Sequence, residues 1–168
     1  MSFEELVPES SYIVRFSDCD PFGHLNNARY IDYFINARED HLRDTYDMDL
    51  ADYAKEGLGW VVSGHDIVYV RPANYNERIV IRSSLIAMDA NRLWVEMTML
   101  NAEGTQLKAM LWSRFTPIDV RTGRRCEHPD SFIDSFKRLV LPQAAPGESL
   151  QERASRLAKA LKAAEPAA

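Results

Sequence analysis

Asp18, Cys19, Asp20, His24, Asn26 and Asn27 bring two carboxylates, a thiol, an imidazole and two amides into ten consecutive residues. Such a stretch can serve three ends. Asp and Asn form turns and helix caps, because their short side chains accept hydrogen bonds from nearby backbone amides, so the stretch can be purely structural. Asp, Cys and His are also metal ligands. One short loop rarely completes a ligand set, however, and no HxxxH or HExxH motif stands elsewhere, so no metal is expected. The third reading is a catalytic carboxylate just ahead of a helix. Free N–H groups and the positive dipole end at a helix start can polarise a carbonyl oxygen. A carboxylate a few residues upstream can then activate water or attack the carbonyl itself.

These residues need elements to hold them. Upstream, Tyr12 to Ser17 alternates as a strand through Tyr12, Val14 and Phe16. Pro21 and Gly23 then forbid continued strand or helix. From Asn27 to about Tyr46 the period becomes helical, with Ile31, Phe34, Ile35, Arg38 and Leu42 on one face and Asn26 or Asn27 as N-cap. A short helix is expected over Leu50 to Glu56, between Asp49 and Gly57. Four strands follow: Trp60 to Arg71, ended by Pro72; Arg78 to Met88; Arg92 to Leu100; and Thr105 to Thr116. The turn-forming connectors Asp89-Ala90-Asn91 and Asn101-Ala102-Glu103-Gly104 make the last three hairpin neighbours. A helix starting at Pro129 should bury Phe132, Ile133 and Phe136. After the linker Pro142 to Gly147, another runs from Ser149 to Ala163 with an apolar stripe of Leu150, Ala154, Leu157 and Leu161, and the tail from Glu165 reads as frayed. The fold class is α+β, one long helix against a five-stranded, mostly antiparallel sheet with extra C-terminal helices.

The run Asp18-Cys19-Asp20-Pro21-Phe22-Gly23-His24-Leu25-Asn26-Asn27-Ala28-Arg29-Tyr30 resembles the opening motif of hotdog-fold acyl thioesterases, in the 4-hydroxybenzoyl-CoA thioesterase-like branch. Tyr69-Val70-Arg71-Pro72 resembles that family's Tyr-x-x-Pro, and the element order matches the fold over residues 8 to 120, leaving 121 to 168 as a C-terminal helical extension. The resemblance implies hydrolysis of an acyl- or aryl-CoA thioester, or an acyl-carrier-protein thioester, to the free acid. It places Asp20 as catalytic general base or nucleophile and Asn27 as the residue whose backbone N–H polarises the carbonyl. His24 orients or hydrogen-bonds. Gly23, Asn26, Tyr69, Arg71 and Arg92 are the expected substrate-binding residues, with Gly23 letting the backbone pass close to the substrate. Arg71, Arg78, Arg82 and Arg92 lie near strand ends, where they either gather around CoA phosphates or stand as solvated edge charges. Trp60, Tyr69 and Trp94 otherwise read as core or interface. No cofactor is implied, and a homodimer or homotetramer is.

Two departures stand out: Tyr75-Asn76-Glu77 where the family often has Gly-Asp, and Leu93 beside Arg92 where many members carry Ser. A hotdog hydratase fits less well, since its Asp and His lie five residues apart and here Asp20 and His24 are four apart. A non-catalytic acyl-CoA-sensing module would not need Asp20. The chain lacks a GxSxG elbow, so α/β-hydrolase chemistry is not indicated.

Composition bounds the rest. The 168 residues suit one domain, 46% apolar and 27% charged, able to bury about 70% of the unfolded chain's surface. A net charge of −5 argues against nucleic acid as partner. No apolar run approaches the ~20 residues of a membrane span. The acidic start is unlike a secretory signal. Cys19 and Cys126 form no disulfide framework, so a reduced, cytoplasmic protein is expected.

Overall fold

The computed structural model describes residues 2–164; the tail from Glu165 lies outside the described residues. In chain order the elements are α1 (Phe3–Leu6), β1 (Glu9–Ile13), α2 (Tyr30–Tyr46), α3 (Leu50–Glu56), β2 (Leu58–Tyr69), β3 (Arg78–Met88), β4 (Leu93–Asn101), β5 (Leu107–Asp119), β6 (Arg124–Arg125), α4 (Asp130–Phe136) and α5 (Leu150–Ala164). The main sheet is antiparallel in the order β1-β3-β4-β5-β2, with the two-residue β6 added on β5.

The sheet carries a helix on each face. Alternation sends Val95, Met97 and Met99 of β4, with Ala109 and Leu111 of β5, into the core under α2. Leu100, Leu107 and Met110 form a second cluster under α5, closed by Leu150 and Ala154, with Leu157 and Leu161 packed on it. The expected stripe is therefore helix packing. An ion pair fastens it: Arg153 of α5 reaches Glu96 of β4 at 2.7 Å with both side chains buried, and Trp112 Nε1 donates to the same carboxylate at 2.9 Å.

Caps fall where cap chemistry requires. Asn26 rather than Asn27 accepts from the Ala28 amide at 3.0 Å, and a single 3-10 turn, Asn27–Arg29, leads into α2. Asp49 caps α3, and Gly57 ends it at φ +102°, a left-handed conformation that suits a residue without Cβ. The buried face of α2 is Tyr30, Tyr33, Phe34, Ala37 and His41, the expected period turned by one residue from Ile31 and Ile35. Its polar members find partners in Tyr33 Oη on Asp18, Tyr30 Oη on the Ala73 amide and His41 Nδ1 on Ser83, while His41 Nε2 is buried without one.

The first strand lies earlier than expected. β1 ends at Ile13 because its partner β3 begins at Arg78, and Phe16–Asp18 turns as 3-10 helix. β2 is shifted two residues toward the N-terminus, and β5 runs on to Asp119 to pair with it. α1 and β6 were not anticipated. Phe132 is buried, while Ile133 and Phe136 are only partly so.

Candidate active site

The loop between β1 and α2 is tied from both sides. Asp20 N donates to His24 O at 2.8 Å, Gly23 N to Asp20 O at 3.0 Å, and Asn26 N to Asp18 O at 2.9 Å. Leu25 N reaches Ala73 O and Tyr75 N reaches Gly23 O, both at 2.8 Å, so the segment leading into β3 clamps the loop. Gly23 stands at φ +77°, and a Cβ there would meet nothing within 4 Å. The left-handed turn explains this glycine without any contact.

The two carboxylates are held differently. Asp18 Oδ2 accepts from Tyr33 Oη at 2.8 Å, on the side where Tyr33 also receives the Arg15 amide. Asp20 uses Oδ1 for the amides of Phe22 (2.9 Å) and His24 (3.1 Å), leaving Oδ2 without a partner among the described residues. A half-buried carboxylate fixed through one oxygen keeps the other for chemistry. Cys19 is no rival nucleophile: burial, then the charges of Asp18 and Asp20, push its thiol up, away from the reactive thiolate.

Asp20, His24, Leu25, Asn27, Tyr30, Tyr69, Val70, Arg71 and Pro72 line one cleft of about 220 Å³. Asn27 is the first residue of the helical run, so its amide has no intrahelical acceptor. Tyr69 Oη donates to Asn27 O at 2.8 Å, and the Tyr30 and Tyr69 rings meet edge to face at 5.1 Å. Tyr69 thus pins the helix start to the end of β2.

The structure brings together Asp20, His24, Asn27, Tyr69 and Arg71, with Gly23 and Asn26 shaping the loop beside them. It does not bring Arg92 there. Arg92 lies at the β3–β4 turn, beyond the eleven residues of β3 and roughly 33 Å of strand from the loop. Arg82 pairs with Glu9 at 2.9 Å and Arg78 stands opposite Ile13 of β1, so the four arginines do not gather within this chain. Trp60 borders an apolar cavity at the other end of α2, where the sequence suggested core or interface.

Lys108 is the residue sequence reasoning missed. Almost fully buried in β5, it pairs with Glu77 at 2.6 Å and donates to Pro72 O at 3.1 Å, and Glu77 in turn holds the Asn74 amide at 2.8 Å. It thereby fixes the backbone of Pro72, a residue that lines the cleft. A lysine inside the alternating run Thr105 to Thr116 was the available signal.

A long helix cradled by a curled antiparallel sheet, with a loop carboxylate ahead of the helix start, defines a hotdog-type protein. The chain belongs to the Thioesterase-like superfamily, whose family model matches residues 14–136. No curated protein matches the sequence. Among solved structures, it is similar to the probable thioesterase YbaW of Escherichia coli, at 25% identity over 79% of this chain and 98% of the other, with a TM-score of 0.68. It is also similar to a DHNA-CoA thioesterase of Staphylococcus aureus, at 16% identity over 79% and 90%, TM-score 0.72. A hypothetical protein of Staphylococcus aureus in complex with CoA aligns at 15% identity over 86% and 90%, TM-score 0.73. Among the described residues, no helix is long and apolar enough to cross a membrane, and no three His, Cys, Asp or Glu side chains gather as a metal ion requires.

Proposed function

We propose that the chain is a thioester hydrolase acting on acyl- or aryl-CoA, or on the same acyl groups carried by an acyl carrier protein. The observation that carries this reading is Asp20 with a free Oδ2 in the same cleft as the unpaired first amide of a helix. A thioester carbonyl is less resonance-stabilised than an ester's, so a carboxylate plus an oxyanion donor is sufficient equipment. The carbonyl oxygen takes the Asn27 N–H and the helix dipole favours the negative charge that develops on it. Asp20 Oδ2 takes a proton from water as the water oxygen adds to the carbonyl carbon, or adds itself and forms an anhydride that water then opens. In either route the C–S bond breaks and the thiolate leaves with its carrier. His24, which lines the cleft, orients the acyl group, and Arg71, which also lines it, meets the carrier's phosphates. CoA enters only as part of the substrate.

The test is turnover of short, medium, long and aromatic acyl-CoAs followed with a thiol dye, together with the Asp20→Asn variant. Release of free thiol by the wild type that the variant loses is the expected result. Tight acyl-CoA binding without turnover would overturn it in favour of a sensing module.

A further inference from the structure

A second cavity, lined mainly by apolar side chains, lies apart from the Asp20 cleft. About 330 Å³ lies under the middle and C-terminal half of α2, walled by Leu42, Leu85, Val95, Phe115, Phe132 and Phe136. The last two come from α4, so the segment after the sheet closes this space. The cavity and the Asp20 cleft share no lining residue; along α2 the cleft is lined by Tyr30 and the cavity from Ile35 onward.

One charge projects into this apolar enclosure. Arg38 lines the cavity, donates through one guanidinium nitrogen to the buried Ser83 Oγ at 3.2 Å, and lies over the Tyr46 ring at 5.7 Å. Among the described residues it forms no ion pair. Glu39 also borders the cavity but is exposed and forms no ion pair with Arg38. The neighbouring His41 shares Ser83 Oγ at 2.7 Å but offers no anion in either protonation state, and burial and then Arg38 itself lower its pKa to about 4 and keep it neutral. Burial lowers the Arg38 pKa too, though not enough to discharge a guanidinium. A partly buried cation among apolar walls, with unused N–H donors and no anion, carries a cost that a bound anion relieves.

We propose that this cavity binds an apolar chain or ring bearing a carboxylate, with the carboxylate on Arg38 and the carbon body against the aliphatic and phenyl walls. Two sources share that chemistry: a free carboxylic acid, or an acyl thioester whose acyl group ends in a second carboxylate. The second source rests on the proposed hydrolase activity; the first does not.

Calorimetric titration of the full chain with decanoate and, in parallel, 1-decanol tests the site directly. Decanoate should bind about 10- to 100-fold more tightly than the alcohol, the worth of one or two charge-assisted hydrogen bonds. Arg38→Met should abolish the difference, and Arg38→Lys should keep part of it. Equal binding of acid and alcohol by the wild type, or binding of neither, would overturn the proposal, and that comparison needs no variant to fold. Turnover then separates the sources. A kcat/KM preference of about tenfold for the decanedioyl monothioester of CoA over decanoyl-CoA, lost in Arg38→Met, assigns the site to the acyl group. Equal turnover of the two with decanoate binding intact assigns it to a free acid. Absence of all turnover with decanoate binding intact would reject the hydrolase reading and leave the site standing.

Discussion

Asp18 and Asp20 are two residues apart, yet the hydrogen bonds around them predict opposite outcomes for the same substitution. Asp20→Asn should leave the fold intact and lower kcat by roughly 10²- to 10⁴-fold, the usual contribution of a general acid or base. Asp18→Asn removes a charge already engaged by Tyr33 Oη and should cost far less. Equal losses in a side-by-side kinetic assay would reject the assignment. Because Asp18 is turned to Tyr33 while Asp20 spends Oδ1 on backbone amides, the loop does not converge on a metal. Prolonged dialysis against a chelator should therefore leave turnover unchanged, and loss restored by zinc or manganese would refute this. His41 makes a third prediction. Its pKa is about 4 in the folded chain against 6.5 for the ordinary group, so between those values the unfolded chain binds the extra proton. Stability is then fully present above pH 6.5 and falls as pH drops toward about 4, by about 2–3 kcal/mol from this residue. Burial lowers His65 and His128 as well, which adds to the same slope. Denaturant titrations across that window should show the decline, and His41→Gln should make it shallower.

At the scale of elements, the hold of α5 on the sheet depends on one buried ion pair. Removing a single partner leaves the other charged and dry, so Arg153→Met should cost about 3–5 kcal/mol. Glu96→Leu combined with Arg153→Met should recover much of that loss, as judged by urea midpoints, although Trp112 Nε1 would lose its acceptor. A double variant no more stable than Arg153→Met alone would contradict this account. These elements differ in how openly the sequence announces them. α3 was legible to the residue, because Asp49 and Gly57 are local signals that need no tertiary partner. β3 was legible because its alternation matches the length of its pairing. β1 was misplaced because a strand ends where its partner does, and no local feature at Ile13 reports that β3 begins at Arg78. The site divides in the same way. Asp20, His24 and Asn27 share one contiguous motif and could be read together. That Arg92 stands away from the loop within one chain, and that Lys108 braces Pro72, could not be read there, because their surroundings are set by pairings distant in sequence. The orientation of α2, one residue off expectation, follows from the partners its tyrosines and histidine find, which hydrophobic periodicity does not see.

For the whole molecule, the exposed side of β2 is the unresolved surface of the fold. Among the described residues β2 pairs only with β5, so its other edge presents free N–H and C=O groups, and Val61 and Val62 stand about half exposed beside them. Pairing this edge with that of a second copy would satisfy both in one isologous contact. Sedimentation equilibrium at micromolar concentration should give twice or four times 19.2 kDa, and a fully active single chain would argue against it. The opposite face of the sheet has a different history. There α5 lies across Leu100, Leu107 and Met110, where a bare sheet would offer a flat, greasy plane to any neighbour. The helix supplies from within the chain the cover that another molecule would otherwise provide. A chain ending at Pro146 would uncover that plane and strand Glu96 without its cation. Such a chain should be sticky, self-associating back to back or precipitating on expression. The fifteen residues of α5 thus act as a solubility device as much as a structural one, covering the face of the sheet that would otherwise stick to its neighbours.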